Sequence, residues 1–190
     1  MDTALWVLGR GTGVVALVLL TVSLCLGILV RSRTTFAGLP RYGVTAVHRT
    51  ASLTATGLIA VHVLTLLLDP QAGLRVTDVV LPFLGSYRPF WLGLGTLGLE
   101  LVALVTVSGL LRKRIGERAF RAVHLTSYGL WPVAVAHGLG TGSDAGRVWM
   151  ILLTGLCIAA VVGFGLWRLG DDFGQRPPAR RLTTSASRGL

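Results

Sequence analysis

With 190 residues, 52% of them hydrophobic and only 14% charged, the chain is too apolar for a soluble domain of its length. Its net charge of +10 would suit a nucleic-acid binder. The basic residues, however, stand in short clusters between long apolar runs, with no basic and aromatic stripe, which argues against that class. Cys25 and Cys157 lie singly inside apolar runs without a CxxC or CxxCH, so they read as small buried hydrophobes rather than as part of a zinc, thioredoxin or c-type site.

A bilayer core takes about 20 apolar residues per helix. Five segments meet that length: Thr12–Val30 (starting as early as Ala4), Val44–Leu68, Phe90–Leu111, Ala119–Leu139 and Arg147–Arg168. The first is followed by the basic Arg31–Arg33 and has no small-residue cleavage site, so it reads as a retained helix and not a signal peptide. The link Asp69–Pro89 carries Val79, Val80, Leu81, Phe83 and Leu84, which suits either a surface lid or a plain interfacial connector. The residues after Arg168 are polar, with Pro and Ser, and read as a disordered basic tail, 169–190, behind a membrane domain, 1–168. That tail is solvated or lies on anionic lipid or a partner.

The expected fold is therefore an all-α membrane bundle of about five transmembrane helices. Alternation places Arg10, Arg75, Arg88 and Arg147 on one side and the other 14 of the 18 basic residues on the opposite side. The positive-inside rule then sets the N-terminus outside and the C-terminus in the cytoplasm of a multi-pass cell-membrane protein.

The only four histidines, His48, His62, His124 and His137, fall in the second and fourth segments. Ionisable groups at membrane depth are costly and mark function by default. His48 and His62 are about 21 Å apart along a helix and nearly share a face; His124 and His137 are about 20 Å apart. Two crossings separate the two segments, so both run in the same direction. His48 then shares a level with His124, and His62 with His137. Two imidazoles at one level can clasp a haem iron from opposite sides, which favours electron transfer over chemistry at the metal. Thirteen residues do not close whole helical turns, so either Pro132 kinks the fourth segment or the two haems sit at different angles.

At these residues the chain resembles the ferric reductase-like transmembrane family, which includes NADPH oxidases and the haem subunits of bacterial methionine sulfoxide reductase systems. The shared pattern is His48 to His62 (HRTASLTATGLIAVH) and His124 to His137 (HLTSYGLWPVAVAH). The resemblance, over roughly residues 10–168, implies two b-type haems. An inner haem would sit on His48 and His124, and an outer one on His62 and His137, so that each histidine is an axial iron ligand. Many members have six spans, of which the first is expected to be absent here, and larger members append flavin and NADPH domains. The expected electron donor is thus a separate flavoprotein or a membrane quinol, and the expected acceptor is extracytoplasmic: a ferric chelate, oxygen or a reductase partner. Gly9-Arg10-Gly11-Thr12-Gly13 looks like a dinucleotide motif, but no strand precedes it.

Anionic haem propionates call for cations. Arg49, Arg41 and Arg121 are candidates on the inside, and Arg88, Arg75 and Arg147 on the outside. Gly57 is placed to admit a porphyrin or to pack helices. Glu100, in the middle of the third segment, serves a proton or quinone or bonds a neighbouring helix. Competing classes are a quinol-linked cytochrome b, a non-enzymatic membrane scaffold or assembly protein, and a metal or solute transporter.

Overall fold

A computed structural model describes residues 2–31 and 40–170. The expected basic tail beyond Gly170, and Arg33, lie outside the described residues. Seven helices follow in order: α1 (Asp2–Arg31), α2 (Arg41–Leu68), α3 (Val76–Val80), α4 (Pro89–Leu110), α5 (Arg112–Leu125), α6 (Ser127–Thr141) and α7 (Val148–Leu169). Among the described residues there is no strand. Among the described residues four helices are each long and apolar enough to cross a membrane: Ala4–Arg31, Tyr42–Leu68, Pro89–Leu110 and Val148–Leu169.

The fourth expected segment, 119–139, is not one helix. It is split at Thr126 into α5 and α6, neither of which spans a bilayer alone. The cause is local. Thr126 Oγ1 and Ser127 Oγ donate to the carbonyls three residues back, Val123 and His124, each at 2.7 Å, and tighten the turn. Six residues on, Pro132 has no N–H to offer the Tyr128 carbonyl. Thr126 keeps helical angles, so α5 runs on into α6 as one bent rod, but α5 carries Arg112, Lys113, Arg114, Glu117, Arg118 and Arg121 and buries none of its residues, so this segment is not among the four apolar spans. A second break at Gly116 has φ of 82°, a left-handed backbone that glycine adopts without a steric cost. Glu117, just past it, takes Arg112 at 3.1 Å and Arg121 at 3.4 Å.

α1 is the centre of the bundle. It packs most extensively along α2 and also meets α6 and α7, while α4 lies mainly on α6. Leu17, Trp131, Val135, Met150 and Cys157 form the buried core shared by α1, α6 and α7. Trp131 Nε1 donates to Thr21 Oγ1 at 2.9 Å, so the one polar atom of the indole is satisfied inside the core. Large apolar side chains of α7, among them Leu152, Leu156 and Leu166, point outward, as surface bathed in lipid requires. Buried hydroxyls such as Thr12 and Thr21 bond carbonyls of their own helix and cost the interior nothing. Cys25 and Cys157 are free and buried, the role expected of them.

α2 barely touches α4, which leaves a gap between them. Residues of the link 69–89, among them Leu74, Asp78, Val79 and Tyr87, line one part of the cavity beside that gap. Thr96 Oγ1 donates to the Asp78 carbonyl at 2.6 Å, pinning α3 to α4. Gly93 lets the Phe83 backbone lie close; a Cβ there would come within 2.5 Å of the Phe83 nitrogen. Asp78 accepts from the Arg75 side chain at 3.1 Å and from the Arg75 backbone N–H at 3.1 Å. These hydrogen bonds, with the guanidinium charge, hold the Asp78 carboxyl below the usual aspartate value of 3.8. A depressed folded-state value stabilises α3 above the usual value, and that support is lost as pH falls through the lower one. Amide exchange over residues 76–80 is therefore expected to stay slow from neutral pH down to about 4 and to accelerate below it. Asp78→Asn should exchange fast at every pH; equal protection in both proteins would show that the pair does not hold α3.

Candidate functional site

The bundle brings the four histidines together in two pairs, each with one member from α2 and one from the α5–α6 rod. His48 and His124 face each other with ring centroids 6.1 Å apart and planes at 83°. His62 and His137 line one cavity of about 580 Å³ between α1, α2, α4 and α6, a volume in the range of cofactor pockets. Its walls are mainly apolar, with Leu99, Val102 and Leu130 among them, and include the charged Arg10, Asp69 and Asp144.

Three of the four rings are tied to backbone carbonyls through Nδ1: His48 to Ser23 at 2.9 Å, His62 to Gly9 at 2.7 Å and His137 to Trp91 at 2.9 Å. A carbonyl only accepts, so each Nδ1 carries the proton, and in the neutral ring Nε2 keeps its lone pair. This is the arrangement by which proteins fix the tautomer and orientation of a metal-binding imidazole. His124 Nδ1 is buried and has no hydrogen-bond partner among the described residues. Its ring is set instead by Phe120, stacked at 5.1 Å and 28°.

The spacing of the first pair has a chemical meaning. An imidazole nitrogen sits about 2 Å from a bound metal, so two in line on one ion, with roughly 1.1 Å from each nitrogen to its ring centre, put the centroids about 6.2 Å apart. The observed 6.1 Å matches that requirement. Among the described residues no group of three or more His, Cys, Asp and Glu side chains comes together.

The arginines are differently employed than charge counting suggests. Arg88 Nη1 donates to the Gly140 carbonyl at 2.6 Å and ties the start of α4 to the end of α6. Arg75 pairs with Asp78, Arg147 approaches Asp144 at 3.8 Å, and Arg121 pairs with Glu117. Arg49 is exposed, one residue after His48. The Arg41 side chain lies outside what the structure describes. Arg10, which sequence reasoning passed over, lines the cavity, pairs with Asp144 and lies 3.9 Å over the Trp6 ring. The three carbonyl acceptors were also missed, since backbone groups leave no mark in residue identity. A Cβ on Gly57 would meet nothing within 4 Å, so that position faces open space. Glu100 is exposed on α4 and does not line the cavity.

A family model described as ferric reductase like transmembrane component matches residues 12–135, which include His48, His62 and His124 and stop two residues short of His137. The chain belongs to this family. No curated protein and no solved structure matches it. Ferric reductase-like transmembrane domains sit in a lipid bilayer, generally bind haem and pair with partner redox domains, and membership points to transmembrane electron transfer.

Proposed function

We propose that this ferric reductase-like protein carries electrons across the cell membrane through two b-type haems, one held by His48 and His124 and the other by His62 and His137. The observation that carries the proposal is the 6.1 Å separation of the His48 and His124 rings, the distance two axial imidazoles need. When bound, each haem supplies a one-electron ferric/ferrous couple. The chain's own residues prepare for it. The carbonyls of Ser23, Gly9 and Trp91 fix the tautomer that leaves three Nε2 atoms with a lone pair for iron. The largely apolar cavity walls exclude water around His62 and His137. Arg49, exposed beside His48, is the proposed anchor for an inner propionate. Arg88 uses one of its five donors on Gly140 and keeps the others for an outer one.

The excess of basic residues around the His48 level supports a cytoplasmic donor and an extracytoplasmic acceptor. The donor is a separate flavoprotein or a membrane quinol; the acceptor is a soluble oxidant or a reductase partner outside. Haem-loaded protein in liposomes with dithionite sealed inside is expected to reduce external ferricyanide well above the rate of protein-free vesicles. A His62→Ala/His137→Ala double variant is expected to fall to that background, and wild-type vesicles no faster than empty ones contradict the proposal. Haem reduction by a quinol analogue without any flavoprotein assigns the donor.

A further inference from the structure

We propose that Gly13 and Gly95 are positioning residues, each opening a notch in its helix through which one axial histidine reaches a backbone carbonyl, while Gly27 stands at the same offset with room to spare. The three carbonyls that hold Nδ1 belong to Gly9, Ser23 and Trp91. In every case the residue four positions on is glycine: Gly13, Gly27 and Gly95. The same three glycines are those whose added Cβ would meet a histidine ring. It would lie 3.0 Å from His62 Nδ1 at Gly13, 3.4 Å from His48 Cε1 at Gly27 and 2.7 Å from His137 Nδ1 at Gly95.

The repetition has a geometric cause. In an α-helix each Cα–Cβ bond tilts toward the N-terminus, so the side chain at i+4 lies over the carbonyl of residue i. With glycine at i+4 that oxygen is open from the side. It keeps its bond from the i+4 N–H and uses its second lone pair for the imidazole. The Gly9–Gly13 run is thus read as a seat for His62, with Arg10 pointing to Asp144. Glycines that merely allow close helix packing would accept alanine with little effect on a bound group. Here the three distances predict a graded response: Gly95 intolerant, Gly13 tight, and Gly27 at ordinary contact.

The inference rests on the haem reading above, and one set of measurements separates the two. Haem-loaded full-length wild type, Gly95→Ala, Gly13→Ala, Gly27→Ala and Gly109→Ala are compared by haem content, redox titration and low-temperature EPR. A Cβ on Gly109 meets nothing within 4 Å, so that variant controls for alanine in the same helix as Gly95. Gly13→Ala and Gly95→Ala are expected to raise the midpoint potential of the His62–His137 haem. A ring that has lost its Nδ1–H···O=C bond is a weaker donor to oxidised iron. Gly95→Ala should show the larger shift, up to loss of one of two haems, while the His48–His124 haem stays as in wild type. Gly27→Ala and Gly109→Ala should match wild type in both haems. If Gly95→Ala does not accumulate, Gly13→Ala decides. Haem-loaded variants at Gly13 and Gly95 with unmoved potentials and g values overturn the inference alone, as does an equal change in Gly109→Ala. A wild type without haem overturns the electron-transfer reading and this inference with it.

Discussion

His137→Ala protein is expected to retain one haem per chain where the proposal gives the wild type two, and the one expected to remain is that of His48 and His124. His137 sits on α6, beyond the Thr126 bend, and its Nδ1 is held by α4; neither feature touches the His48–His124 contact on the other side of the bend. His62 alone is not expected to keep the second haem, because its Nδ1 is committed to Gly9 and its Nε2 supplies a single axial bond. His48→Ala should show the mirror result, losing the other haem. Reduced-minus-oxidised spectra at low temperature and two-component redox titrations distinguish the cases: each variant should keep one wild-type component and lose the other. Loss of both haems from every variant would mean that the two levels do not bind independently, and no loss from any would remove the histidines from the site.

The second large effect is expected at Trp131, which joins α1, α6 and α7. In lipid the apolar side chain gains little from leaving the solvent, so its contribution is packing and the bond to Thr21 rather than hydrophobic transfer. Trp131→Ala leaves a cavity in a cluster that includes Leu17, Val135 and Met150 and should cost about 2–4 kcal/mol. Because α1 also supplies the Gly9 and Ser23 carbonyls, the same variant should release haem at a lower temperature. Trp131→Phe keeps most of the volume and loses the indole N–H, while Thr21 still donates to Leu17 at 2.9 Å; about 1 kcal/mol is expected there. Thermal release of haem, followed by its Soret band in detergent, orders the three proteins wild type, Phe, Ala. An alanine variant that melts with the wild type would show that this cluster does not hold the bundle together.

Legibility in the sequence follows what each pattern measures. Apolar length found four of the spanning helices because lipid imposes it directly. The same measure reads 119–139 as one helix, since it is blind to hydroxyls that bond backward at Thr126 and Ser127 and to the missing N–H of Pro132. That bend also answers why His124 and His137, out of register on a straight helix, each face a histidine of α2 or a wall shared with one. The pairing of levels was readable because only four histidines exist, two in each of two segments at nearly equal spacing. The arginines were readable as charges but not as partners: Asp78, Asp144, Glu117 and the Gly140 carbonyl take them up only once the loops are folded. The carbonyl seats were invisible as such, although the glycine four residues after each one is in plain view.

The most direct measurement is a pyridine haemochrome assay on the purified wild-type chain from haem-replete cells. Imidazole pairs clasping iron at both levels predict two protohaems per polypeptide; a colourless protein at full expression would contradict the account.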